Sequence, residues 1–292
     1  MTILVTGSTG TIGSEVIRHL HARRADVRAL VRDPGKAKLP DGVVPVVGDM
    51  TDVDAMRQAL SGVDTLFLLN AVVPDELTQA LITMDLAREA GIQRIVYFSV
   101  LMGDRFTDVP HFSGKYTVER MIAEEQLPAS ILRPAYFMQN DLSLKEALSD
   151  HAVYPMPVGG RGVAMVDARD VGEVVALELI RREQATEPFP AETIEVCGPE
   201  ALTGHDLAAI WSEALGRQVN YGGDDLAAFE QMLRRFAPGW MAHDMRMMVR
   251  GFQKHGMTAQ SGAVTQLETM LGRPLRHYRD FARETVEVWQ RG

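Results

Sequence analysis

The stretch that most restricts how this chain can fold is its opening, Thr2-Ile-Leu-Val-Thr-Gly-Ser-Thr-Gly-Thr-Ile-Gly13. Residues 3–5 form a short β-branched and aliphatic run without helical period, which suits a buried parallel strand. The chain then turns through Gly7, Gly10 and Gly13 into Ser14-Glu-Val-Ile-Arg-His-Leu20, where Val16, Ile17 and Leu20 recur at helical spacing. A glycine-rich turn between a first strand and a first helix aims free backbone N–H groups at a pyrophosphate, and the helix dipole adds positive potential there. Gly7 permits the tight turn, Gly10 has no Cβ to block the phosphates, and Gly13 lets the helix pack closely on the strand. A bare glycine triplet also occurs in plain loops. Here a helix follows at once, and a second strand, Val27 to Val31, ends about 20 residues on, where a dinucleotide fold reads the ribose. A nucleotide site is the favoured reading, and the GxxGxxG spacing, unlike the usual GxGxxG, narrows the family.

Strand-like runs continue at Val43-Val-Pro-Val-Val47, Thr65-Leu-Phe-Leu-Leu69, Arg94-Ile-Val-Tyr-Phe-Ser99 and Ala129-Ser-Ile-Leu-Arg133, separated by amphipathic segments over 52–60, 75–90 and 112–126. Asp33-Pro34 reads as a helix cap followed by proline at the first helical position, Asp52 as the next cap, and Gly91 as a helix stop. Apolar strands alternating with helices predict a doubly wound, parallel-sheet Rossmann fold of the α/β class. Its ligands gather at strand C-terminal ends, so Gly7–Gly13, Arg32, Asp49, Asn70, Ser99 and Pro134 should meet in one crevice. After about residue 140 the rhythm loosens. Short strand candidates between His151 and Val166 are broken by Pro155, Pro157, Gly159, Gly160 and Gly162. A helix is expected over 169–182 with Asp167 as its cap, a strand over 193–197, a helix over 206–215 after Thr203, and a last helix over 281–290. The expected organisation is a dinucleotide-binding domain over 1–150, with helix 169–182 packed on it. A smaller, mostly helical and partly interwoven α/β substrate domain would fill 151–292.

The composition, 46% hydrophobic and 24% charged over 292 residues, is that of a globular chain with a sizeable core. A net charge of -9 argues against a general nucleic-acid surface. The basic spots at 18–24 and 273–283 read as solvated helix faces. One cysteine, Cys197, excludes an intrachain disulfide and reads as a buried strand thiol. There is no cationic and apolar leader and no run of about 18 apolar residues, so the chain reads as cytoplasmic, with no membrane span. The eight histidines show no metal-ligand spacing, and no metal is expected.

Taken together, these residues resemble the NmrA-like branch of the atypical short-chain dehydrogenase/reductases over most of the chain. The resemblance rests on Thr6-Gly-Ser-Thr-Gly-Thr-Ile-Gly13, Val31-Arg-Asp-Pro-Gly-Lys-Ala37, Gly48-Asp-Met50, His111-Phe-Ser-Gly-Lys115, Leu132-Arg-Pro-Ala-Tyr-Phe-Met-Gln-Asn140 and Leu271-Gly-Arg-Pro-Leu-Arg-His-Tyr-Arg-Asp-Phe281. The branch includes NADPH-dependent quinone and triphenylmethane-dye reductases, isoflavone reductase-like enzymes, and cofactor-sensing regulators. The Tyr-x-x-x-Lys pair of ordinary short-chain dehydrogenases is missing: Tyr97, Tyr116 and Tyr136 are followed four residues on by Leu101, Arg120 and Asn140. An alcohol-dehydrogenase or sugar-epimerase mechanism is therefore disfavoured.

Phe112-Ser-Gly-Lys115 resembles the Phe-x-x-Lys motif of the isoflavone reductase-like enzymes, which implies that Lys115 faces nicotinamide and substrate. Its ammonium offers three donors, for a ribose or an acceptor oxygen; the plain alternative is a solvated helix lysine. Arg32 can engage a 2′-phosphate, which points to NADP over NAD, with Lys36 in support. Asp49 and Met50 resemble a pair that brackets adenine. The cofactor residues implied are Gly7, Thr9, Gly10, Thr11, Ile12 and Gly13 of the turn; Arg32, Asp49 and Met50; Leu69, Asn70 and Ala71 beneath the cofactor backbone; and Ser99, Lys115, Pro134, Tyr136 and Phe137 at the nicotinamide end. Met241 to Met257, with Trp240 and Phe252, would make a wall for a flat apolar substrate. Two functions fit these residues: a reductase of a small flat electrophile, or an NADP(H) sensor whose protein partner depends on the cofactor.

Overall fold

The computed structural model describes residues 1–291. Strand and helix alternate through β1 (Thr2–Val5), α1 (Thr11–Ala22), β2 (Asp26–Val31), β3 (Val44–Val47), α2 (Val53–Leu60), β4 (Thr65–Leu68), α3 (Glu76–Glu89), β5 (Ile95–Phe98), α4 (Pro110–Glu124) and β6 (Ala129–Pro134). A 3-10 segment, Met138–Leu144, leads into α5 (Lys145–Ser149), β7 (Val153–Tyr154), α6 (Ala168–Gln184), β8 (Glu192–Val196), α7 (Gly204–Leu215) and β9 (Asn220–Tyr221). The chain ends in α8 (Leu226–Leu233), α9 (Gly239–His255), α10 (Ala263–Leu271) and α11 (Tyr278–Arg291).

Seven strands form one sheet in the order β3-β2-β1-β4-β5-β6-β8. Neighbours from β3 through β6 pair in parallel, so their C-terminal ends share one edge. β1 lies between β2 and β4, so strand order reverses there and leaves a crevice between the outgoing loops. The expected α/β class and parallel sheet are what the structure shows. All of β4 and β5 is buried, as strands covered on both faces require. Leu4, Leu66, Leu68, Ile95 and Ile131 pack on Met56 and Leu60 of α2, Met84 of α3, and Val118 and Ile122 of α4. Strand alternation sends Ile3 and Val5 to the other face. There α6 meets β4 and β5 and packs along α1. Each such aliphatic side chain contributes about 1.5–3 kcal/mol by leaving water.

Local chemistry sets most helix ends. The Asp52 carboxylate accepts from the amides of Asp54 and Ala55, Gly91 (φ +74°) turns the chain out of α3, and Thr203 and Asp206 close a reciprocal capping box on α7. Asp33-Pro34 departs from expectation. No helix follows it; the Asp33 carboxylate accepts from the Gly35 amide and pairs with Lys36, which closes a short turn. Asp-Pro serves turns as readily as caps, and no apolar face follows to hold a helix. Of the strand candidates between His151 and Val166 only Val153–Tyr154 forms, while Val163 and Val166 make isolated bridges. Cys197 lies just past β8, buried, with its thiol pushed up to about 11 by burial and then by Glu195.

Two compact units emerge, and they interleave. The first comprises Met1–Gly103, His111–Arg133 and Ala168–Ile194; the second comprises Asp104–Pro110, Pro134–Asp167 and Glu195–Gly292. No single cut at residue 150 separates them, because Asp104–Pro110 already belongs to the second unit and α6 returns to the first. Among the described residues no helix is long and apolar enough to cross a membrane.

Candidate functional site

The turn after β1 is built around contacts only glycine allows. Gly7 has φ +58°, and a Cβ there would lie 2.8 Å from the Leu69 side chain and 2.9 Å from its carbonyl oxygen. A Cβ at Gly13 would stand 2.2 Å from the Gly7 oxygen, so only hydrogen lets α1 seat on the turn. The loop is pinned from below. The Thr6 hydroxyl donates to the Leu69 carbonyl (2.9 Å) and accepts from the Leu69 amide (2.8 Å), and the Ser8 hydroxyl donates to Leu30 O (2.6 Å). The first helical bond runs from Ser14 N to Gly10 O (2.9 Å), and no side chain caps α1. The amides of Thr11, Ile12 and Gly13 thus precede the hydrogen-bonded ladder, as at any helix start. Thr9, Gly10 and Thr11 are exposed, and a Cβ at Gly10 would meet only Gly7 O, at 3.4 Å. An open backbone with uncommitted donors fits a pyrophosphate.

The neighbouring loops leave the same sheet edge. Arg32 follows β2, exposed, and lies close enough to Asp49 to help hold that carboxyl below its ordinary value. The larger causes are the Thr51 hydroxyl and amide, which donate to Asp49 at 2.6 and 2.9 Å. Met50 is partly buried and receives a long contact from Asn70 Nδ2 at 3.7 Å. Asn70 is itself buried at the end of β4, between Leu69 and the exposed Ala71. Because Asp33 is occupied within its own turn, its carboxylate is engaged where a diol-reading acid would have to be free.

At the end of β5 lies a buried polar cluster. The Ser99 hydroxyl donates to Glu119, which also receives Arg133 Nε at 3.0 Å. Lys115 sits well inside α4, buried, with Nζ 3.4 Å from the Phe98 carbonyl and 2.7 Å from Glu76 Oε1. That distance is a close ion pair, although its angle is not that of a hydrogen bond, and the buried Glu76 Oε2 has no hydrogen-bond partner. The Tyr97 hydroxyl donates to Lys115 O at 3.4 Å. Its phenol is held well above the ordinary value by burial, then by Glu76 and Glu119. Lys115 is thus neither solvated nor alone. Glu76 and Glu119 are what the sequence reading missed: each pairs across elements, which helical or strand periodicity cannot reveal.

Pro134 ends β6, and Tyr136 and Phe137 belong to the second unit. There Tyr136 meets Phe252 edge to face at 5.8 Å, burial raises its phenol, and Phe137 bridges to Val166. Phe252 is wholly buried between Tyr136 and Phe106, whereas Trp240 is 39% exposed, so the expected Trp240–Phe252 wall does not form as one surface. Phe252 is core, because helical spacing turns it inward while Trp240, at the start of α9, faces out.

The family model described as NmrA-like matches residues 1–282. The chain belongs to the NmrA-like family. An NAD(P)H azoreductase of Xenophilus azovorans is 31% identical over 286 residues, covering 96% of each chain. An Escherichia coli NADPH-dependent quinone oxidoreductase, solved with NADPH, matches at a TM-score of 0.85 and 25% identity, covering 97% of this chain and 99% of that one. NmrA itself, a negative transcriptional regulator solved with NADP, matches at 0.79 and 20% identity over 99% and 96% of the two chains, a likeness of fold.

Proposed function

We propose that this chain is an NADPH-dependent reductase in which the bound nicotinamide supplies hydride to a flat conjugated electrophile such as a quinone, dye or enone. The observation that carries this reading is Lys115, a buried, ion-paired ammonium on the sheet unit whose β1–α1 turn leaves helix amides uncommitted. The azoreductase and quinone oxidoreductase relatives support the reaction class.

The amides of Thr11, Ile12 and Gly13 bind the pyrophosphate, with Thr9 and Gly10 yielding room. Arg32 pairs with the 2′-phosphate through its planar fork, while Asp49 and Met50 flank the adenine. Leu69, Asn70 and Ala71 run beneath the cofactor backbone. Lys115 donates to the nicotinamide ribose and to the acceptor oxygen, and Ser99, whose hydroxyl donates to Glu119, keeps its oxygen as an acceptor. The assignment of Pro134, Tyr136 and Phe137 to the nicotinamide rests on family resemblance. Such a reaction demands chiefly proximity and orientation, which explains why Tyr-x-x-x-Lys is dispensable.

NADPH absorbance followed against a panel of quinones, triphenylmethane dyes and enones tests the reading, with turnover of at least one acceptor as the expected result. Tight NADPH binding with no turnover, and protein partners captured only in one cofactor state, would instead establish a sensor, which needs unequal cofactor affinity for two conformations.

A further inference from the structure

Glu76 is a buried charge that the proposed reaction leaves unused. An ammonium removed from water is strongly disfavoured against its neutral amine unless a counter-charge compensates. The titratable and charged groups of this cluster are Glu76 from α3, Tyr97 from β5, Lys115 and Glu119 from α4, and Arg133 from β6. Glu119 is matched by Arg133 and by the Ser99 hydroxyl. The Tyr97 phenol stays protonated and carries no charge to offer. Neither Glu76 oxygen has a hydrogen-bond partner, and the cation paired with this carboxylate is Lys115. Of the three ammonium donors the Phe98 carbonyl takes one, Glu76 engages the charge as an ion pair without hydrogen-bond geometry, and two are left.

We propose that Glu76 is the positioning residue for Lys115: its carboxylate keeps the buried ammonium protonated and fixed, so that its remaining N–H groups are presented to the acceptor and to the cofactor ribose. The inference rests on the role proposed above for Lys115. Glu76 itself touches neither substrate nor cofactor; it acts through the lysine.

Nitrogen NMR of protein labelled at lysine Nζ tests this without cofactor or turnover, the Lys115 signal being assigned by its loss in Lys115→Met. Glu76→Gln keeps the size of the side chain and removes its charge. The expected result is a deprotonation midpoint for Lys115 about one to three pH units lower than in the parent chain, largely restored in Glu76→Asp. With a quinone, the alkaline fall of kcat should move with that midpoint while KM stays near the parent value. An unshifted midpoint in folded Glu76→Gln overturns the proposal. Should Glu76→Gln not fold, recovery of folding in the double variant Glu76→Gln/Lys115→Met supports the pairing. Failure of that double variant to fold, so that removing the lysine does not relieve the loss of the carboxylate, overturns it. If Lys115→Ala keeps turnover and NADPH affinity, the reductase role of Lys115 fails by itself, and the midpoint in Glu76→Gln still decides whether the pair exists.

Discussion

In the role proposed for it, Lys115 should serve different acceptors unequally. A quinone takes up a hydride and a proton, whereas a triphenylmethane dye cation takes up hydride alone and becomes neutral. Lys115→Ala should therefore lower quinone turnover by about 10²–10⁴-fold, the worth of a lost general acid. Reduction of the dye should fall only about ten- to hundredfold, the worth of one lost charge-assisted contact. Lys115→Arg should restore neither, since a planar fork cannot replace a compact ammonium in a buried site. Steady-state rates with both acceptors check this, and equal losses would make Lys115 an anchor only. The proposed place of Arg32 is at the other end of the cofactor. Arg32→Ala should weaken NADPH binding by about ten- to hundredfold, some 1.5–3 kcal/mol, and leave NADH binding nearly unchanged; fluorescence titration with both cofactors reads the difference. The steric roles of Gly7 and Gly13 were legible in the sequence because they are local to one turn. Glu76 was not, because the lysine that gives it meaning comes from another helix.

At the scale of elements, α1 and α2 make an instructive pair. α2 is capped by its own Asp52, while α1 begins at Gly10 in an extended conformation (φ -81°, ψ 173°) without a side-chain cap. An aspartate would fit that backbone, since a Cβ at Gly10 meets nothing nearer than 3.4 Å. Gly10→Asp should leave the apo protein as stable or raise it by a few tenths of a kcal/mol to about 1 kcal/mol, through the cap and the helix dipole. The same carboxylate would occupy the amides of α1 and repel a pyrophosphate, so NADPH affinity should fall more than about a hundredfold. Thermal unfolding with and without NADPH checks both halves, and a variant that binds NADPH normally would mean that the helix start is not the phosphate site. Strand and helix identities were readable from periodicity in the first half, where each element buries one apolar face. The turn at Asp33 was misread because Asp-Pro opens turns and helices alike, and only the residues after it decide.

Across the whole molecule, what escaped the sequence is what the chain assembles from distant segments. The buried Asp141 is such a case. Its carboxylate accepts from the Tyr154 hydroxyl at 3.0 Å and from the Tyr278 hydroxyl, which in turn accepts from Trp211 Nε1 at 3.0 Å, and Oδ1 has no partner. Burial pushes its pKa from 3.8 up to about 6, against the opposing pull of the two tyrosines. A raised acid favours folding while protonated, so its contribution is present at low pH and is lost as pH rises toward 6. The loss is about 3 kcal/mol, from roughly 1.4 kcal/mol per pH unit. Denaturant unfolding at several pH values should show Asp141→Asn lacking that decline, and parallel curves for the two proteins would place Asp141 outside the titration. The central claim, direct reduction on a nicotinamide site, is tested most directly with NADPH deuterated at the transferable position and a triphenylmethane dye. The new C–H bond on the central carbon does not exchange with water. The predicted product carries deuterium from the cofactor when made in ordinary water and none when unlabelled NADPH is used in D2O; a dye reduced without the cofactor's label would contradict the assignment.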